Sequence, residues 1–201
     1  RGDPQKPNVD PKILDEPPLT APRWVERNLG REQVHVIVGG MGLKVQSDDR
    51  YALRILQNLL SGQSGRLFVE LREKKSLAYT VSPMAFEGLE KGYVGTYIAC
   101  APNKRQEAID GIRGVLEKLA SKGPTPAEMK RAQEFYLGRR AMDFQTDSAL
   151  STHFCLEALY KIEILHDDEI ARRIRKVPPK AVAELCRRLM VEAPQVVCAV
   201  G

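Results

Sequence analysis

The sequence predicts an α+β domain, a two-layer sandwich in which a mixed, mostly antiparallel sheet carries helices on one face. Three observations lead there. Residues 77–86 and 93–101 read as two strands joined by a glycine-containing turn at 88–92. Helical patterns cluster between residues 103 and 190 instead of alternating with strands, which disfavours a parallel doubly wound sheet. An apolar strand at 195–200 closes the chain. The length of 201 residues suits one large domain or two small ones, and such a chain can bury roughly 70% of its unfolded surface. With 43% hydrophobic and 28% charged residues, it is neither a disordered tail, a collagen-like repeat nor a disulfide miniprotein.

Taken in order, residues 1–25 hold six of the 13 prolines, each removing an amide donor, and read as an extended linker ahead of a domain at 26–201. The chain opens on Arg1-Gly2-Asp3-Pro4 without an initiator Met or an apolar leader, which points to a segment removed upstream. Val34, Val36 and Val38, with Ile37 between them, form an apolar strand with both faces at least partly covered, ended by Gly39-Gly40-Met41-Gly42. Asp48 or Asp49 can cap a helix whose stripe is Ala52, Ile55, Leu56 and Leu59. Gly62-Gln63-Ser64-Gly65 stops it, and a second helix runs over 66–75 before the hairpin. Asn103 can cap a helix carrying Ile109, Ile112, Leu116 and Leu119. Thr125-Pro126-Ala127-Glu128 is a capping box with proline at the first helical position. That helix continues, kinked near Thr146, to about Ile162, and further helices follow at 167–176 and 179–190.

Several chemistries are excluded on the residues. No apolar run approaches the ~18 residues that span a bilayer. Lys and Arg number 31 against 26 acids, a mild surplus of +5. Its densest run, Arg172, Arg173, Arg175, Lys176, Lys180, Arg187 and Arg188, reads either as an anion-binding patch or as a solvated helix face. Cys100, Cys155 and Cys198 have apolar neighbours and suggest buried thiols, Cys186 stands apart from them, and the four leave the compartment open. His35, His153 and His166 are scattered. Glu157 stands four residues after His153, but neither His-Glu-x-x-His nor its inverted form is complete, so this chain has no metal site of its own by sequence. Gly40-Met41-Gly42 lacks the third glycine of a dinucleotide fingerprint, and no Gly-Lys-Ser/Thr occurs. Gly62-x-x-Gly65 between two helices matches the layout of a KH-type nucleic-acid clamp; against that, the loop is uncharged and a helix–helix turn explains it as well. Nucleic acid is not an expected partner.

The most specific run is Ser64-Gly65-Arg66-Leu67-Phe68-Val69-Glu70-Leu71-Arg72-Glu73-Lys74-Lys75-Ser76-Leu77-Ala78-Tyr79-Thr80-Val81. It closely resembles the inactive-half signature of the pitrilysin/insulinase family of zinc peptidases, the group that includes mitochondrial processing peptidase. The resemblance extends over most of the chain, from the glycine-ended first strand through the Thr125-x-x-Glu128 helix start to the final strand. It implies one of two similar α+β halves around a closed chamber. The other half, in the same chain or a separate subunit, carries zinc on a His-x-x-Glu-His helix. The half seen here would hold no cofactor. It would bind peptide substrate and contribute an arginine and a tyrosine seven residues apart, matched by Arg72 and Tyr79.

That pairing makes chemical sense. Attack of water on a peptide carbonyl builds negative charge on oxygen, and a fixed guanidinium and a phenol hydroxyl can hold the carbonyl and share that charge, each worth roughly 2.7–4 kcal/mol. The alternative is that Arg72 pairs with Glu73 or a neighbouring helix and Tyr79 is a sheet residue. A non-catalytic scaffold subunit of the same fold is the other functional reading.

Overall fold

Alternation along the strands decides which face of the sheet is covered. In β2 (Val34–Met41), Val34, Val36 and Val38 are buried while His35 and Ile37 face outward. In β5 (Val196–Val200), Val197 and Ala199 are buried, and in β4 (Tyr93–Cys100), Val94, Thr96, Ile98 and Cys100 line the same side. The covering of both faces of the first strand expected from its sequence is therefore corrected: one face is packed and the other is open.

The computed structural model describes residues 17–201. β1 (Arg23–Arg27) and β3 (Thr80–Phe86) complete a five-stranded sheet in the order β1-β5-β2-β4-β3. Only β1 and β5 run parallel; the other neighbours are antiparallel. Strand β1 moves the expected linker boundary. Residues 23–25, assigned to the linker, belong to the sheet, pairing Arg23 with Val196 and Val25 with Cys198. All five β1 residues are exposed, so no alternation marks them in sequence. Residues 17–22 carry no helix or strand, and the rest of the proline-rich stretch lies outside the described residues.

Helices cover the packed face. α1 (Arg50–Leu60) buries Leu53, Ile55, Leu56, Leu59 and Leu60. α2 (Arg105–Lys122) buries the expected Ile109, Ile112, Leu116 and Leu119. Neither starts with the cap read from sequence: Asp49 makes no side-chain cap bond and instead meets Arg188, and Asn103 sits in a short 3₁₀ turn before Lys104. α3 (Pro126–Asp143) begins on the full capping box, with Glu128 N–H donating to Thr125 Oγ1 at 3.3 Å and Thr125 N–H donating to Glu128 Oε2 at 2.7 Å. The helix expected to kink near Thr146 is two helices, because Thr146 caps α4 (Asp147–Leu159) through a bond from Ala149 N–H. α5 (Asp167–Lys176) and α6 (Pro179–Cys186) follow, the latter running into a π-helical turn at Arg187–Glu192.

Candidate functional site

Arg72 lies in a π-helical stretch, Phe68–Lys74, where the backbone widens by one residue per turn, a distortion often found at functional sites. The stretch is anchored by buried Leu67 and Leu71. Ser76 ends it in the left-handed region at φ 50°, a conformation costing a non-glycine residue of order 1 kcal/mol or more. Its N–H donates to Arg72 O at 3.1 Å, Leu77 N–H donates to Leu71 O at 2.8 Å, and Lys104 Nζ donates to Ser76 O at 3.1 Å. The chain thereby reverses, and Tyr79 N–H joins Ala99 O at 2.8 Å as the hairpin begins. One fixed turn thus separates the two expected site residues.

Both side chains are exposed. The Arg72 guanidinium sits 4.9 Å from the centre of the Phe68 ring, is exposed, and makes no ion pair among the described residues. Tyr79 is 57% exposed. Pairing of Arg72 with Glu73 is not seen, whereas Glu70 and Lys74 of the same stretch bind each other at 2.6 Å, which holds the Glu70 carboxyl below its usual range.

The open sheet face is apolar and aromatic. Ile37, Phe86 and Tyr93 are exposed, with Phe86 and Tyr93 stacked at 5.7 Å, and His35 Nδ1 is 2.7 Å from the Tyr97 hydroxyl. Gly39 stands opposite Gly95, between the Ile37–Tyr97 and Met41–Tyr93 rungs. A Cβ on Gly39 would collide with the Val94 carbonyl, so this rung stays bare.

A second polar cluster went unread in the sequence. Glu87, at the end of β3, pairs with Arg54 of α1, and Glu157 of α4 lies 3.8 Å from Arg50 and 3.5 Å from His153. His153 Nε2 is 3.2 Å from Arg140 Nη2, and burial holds its pKa below the usual value, which suits a neutral imidazole accepting from Arg140. Burial also pushes the Glu87 carboxyl up. The single legible signal was Glu157 four residues after His153, and it gains no third ligand: among the described residues no group of three or more His, Cys, Asp and Glu converges as a metal ion requires. These residues do not fit a zinc ion.

The remaining candidates resolve structurally. All five arginines of the basic run are paired: Arg172 and Arg173 with Glu169, Arg175 with Glu134, Arg187 with Glu184 and Arg188 with Asp49. The solvated-face reading holds. The Gly62–Gly65 loop is a tight helix–helix turn, with Gly62 at φ 76° and a Cβ on Gly65 blocked by the Ser61 carbonyl. Cys155 is exposed, against expectation, because α4 turns its apolar side outward; Cys186, not singled out, is buried and its thiol is pushed up to about 12.

A family model described as the peptidase M16 inactive domain matches residues 2–136. The uncharacterized zinc protease YmxG of Bacillus subtilis is 32% identical over 164 residues, which is 80% of this chain and 40% of that protein. An uncharacterized zinc protease of Streptomyces coelicolor is 31% identical over 164 residues, 81% of this chain and 36% of that one. The chain therefore spans two fifths or less of the length of these relatives. Among solved structures, a peptidase M16 inactive domain from Pseudomonas fluorescens shares the fold with a TM-score of 0.82 at 15% identity, over 90% of this chain and 44% of that one. A protease from Helicobacter pylori does so with a TM-score of 0.80 at 18% identity, over 93% and 45%.

Proposed function

The chain belongs to the peptidase M16 inactive-domain family, and from that premise we propose that it is the substrate-binding, metal-free half of a zinc metallopeptidase. Arg72 and Tyr79 reach from it into the site of a zinc-bearing half. That partner half carries the His-x-x-Glu-His helix, in the same full-length chain or in a second subunit. Peptide substrate lies between the halves. The Arg72 guanidinium donates to the carbonyl oxygen of the scissile bond, and the Tyr79 hydroxyl donates to the same oxygen or its neighbour. As water adds and charge moves onto that oxygen, the Arg72 bond comes to join opposite charges and the Tyr79 bond becomes charge-assisted, so both strengthen and favour the transition state over the bound substrate.

One observation carries this reading. Where Arg66, Glu70 and Lys74 of the stretch are ion-paired within the chain, Arg72 is exposed with no carboxylate partner among the described residues, one turn away from an exposed Tyr79. The apolar open face with its bare glycine rung offers a floor for an extended peptide.

The test pairs this chain with a zinc-bearing half and follows peptide cleavage. Arg72→Ala and Tyr79→Phe are each expected to lower kcat by about 10²–10³-fold with little change in KM. Arg72→Lys should recover only part, since an ammonium lacks the planar fork. Turnover equal to wild type in both variants would return the chain to the scaffold reading.

A further inference from the structure

A guanidinium that must meet a substrate has to be held still without being used up. An exposed arginine is long and rotatable, and freezing its rotamers as the transition state forms would cost part of the stabilisation it supplies. The backbone beneath Arg72 is already fixed. Leu67 and Leu71 are fully buried, and Leu71 seats so closely against α2 that a Cβ on Gly111 would meet its Cδ2 at 2.6 Å. At the far end of the turn Lys104 Nζ donates to Ser76 O at 3.1 Å. What is left to order is the Arg72 side chain itself, and the Phe68 ring lies against it, its centre 4.9 Å from Arg72 Cζ.

The ring is not spent on packing. Leu67, Leu71 and Leu77 join the hydrophobic core, whereas Phe68 belongs neither to that core nor to the half-buried side chains packed on it. An aromatic face also suits the task better than a carboxylate. It attracts the charge through its quadrupole and leaves the in-plane N–H donors of the guanidinium free for another acceptor. Arg66 shows the opposite arrangement, its Nε and Nη2 donors being engaged by Glu128 and Gly123 O.

We propose that Phe68 is a positioning residue for peptide cleavage, its ring holding the Arg72 guanidinium in the orientation from which the N–H groups reach the scissile carbonyl. This role rests on the peptidase reading, in which Arg72 enters the reacting site. Phe68 itself does not touch the reacting atoms. It acts through Arg72, by reducing the rotamer freedom lost as charge develops on the carbonyl oxygen, so its contribution falls on kcat and not on KM.

The experiment places phenylalanines carrying one, two or three ring fluorines at position 68, in the chain paired with its zinc-bearing half. Fluorine draws charge off the ring face at nearly constant shape, so the hold on a cation weakens in steps while packing is kept. The kcat, read below the melting temperature of each variant, is expected to fall stepwise by about two- to fivefold in all, with KM unchanged. Phe68→Tyr, which keeps the ring face, should retain wild-type kcat, and in an Arg72→Ala chain the fluorinated series should leave the residual turnover level. A flat kcat across the series, beside an Arg72→Ala variant that does lose turnover, would overturn the positioning role and leave the peptidase reading standing. An equal fall in the Arg72→Ala chain would also overturn it, by showing that Phe68 acts independently of Arg72. Wild-type turnover in Arg72→Ala would remove both the reading and the role that rests on it.

Discussion

Two arginines six residues apart, in the same helical stretch, have opposite surroundings. Arg66 is 17% exposed and fully engaged: Nε and Nη2 donate to the two Glu128 oxygens at 2.7 and 2.8 Å, and Nη2 also donates to Gly123 O at 3.0 Å. It fastens the α3 capping box to the signature helix. Arg72 is exposed, rests on the Phe68 ring and has no carboxylate partner among the described residues. The difference separates an arginine whose hydrogen bonds lie within the fold from an exposed one, which the proposed function assigns to the reacting site.

The largest effect expected on stability is at Arg66. Arg66→Ala leaves a half-shielded Glu128 charge and a lost carbonyl bond, and should destabilise the domain by about 3 kcal/mol, read from chemical denaturation. The same pair sharpens the comparison through pH. The Arg66 hydrogen bonds hold the Glu128 carboxyl down at about 2 against 4.5 for a free glutamate. The pair's contribution is present in full above pH 4.5 and fades as pH falls through about 2, a loss of roughly 2 kcal/mol after allowance for solvent screening. Arg66→Ala should flatten that acid limb; an unchanged limb would deny the pair its role. Thr125→Ala, removing one side of the capping box, should cost about 1 kcal/mol. Smallest of all, Arg72→Ala should shift stability by less than about 1 kcal/mol, the worth of an exposed cation–π contact.

How much of this could be read beforehand follows from the same physics. The α+β class, the core stripes of α1 and α2 and the capping box at Thr125 were legible because each rests on local periodicity or on a short-range hydrogen bond. The signature at 64–81 revealed the family for the same reason. Strand β1 escaped because an exposed edge strand paired on one side shows no alternation. The cap assignments at Asp49 and Asn103 failed because a distant arginine and a 3₁₀ turn took precedence over local propensity. Beyond the four-residue spacing of His153 and Glu157, inside-out α4 and the burial of Glu157 were hidden: the partners, Arg50 and Arg140, are brought by other helices. That Arg72 lies in a π-helical turn with no ion pair among the described residues is likewise a fact of tertiary placement.

The most direct test sets Arg66→Ala beside Arg72→Ala in the protein paired with its zinc-bearing half, measuring kcat and melting temperature for both. Arg72→Ala should lose about 10²–10³-fold in kcat at an unchanged melting temperature, whereas Arg66→Ala should melt several degrees lower and keep its kcat wherever it remains folded. An Arg72→Ala enzyme that turns over like wild type, or that loses activity only as it loses its fold, would contradict the assignment of Arg72 to the reacting site.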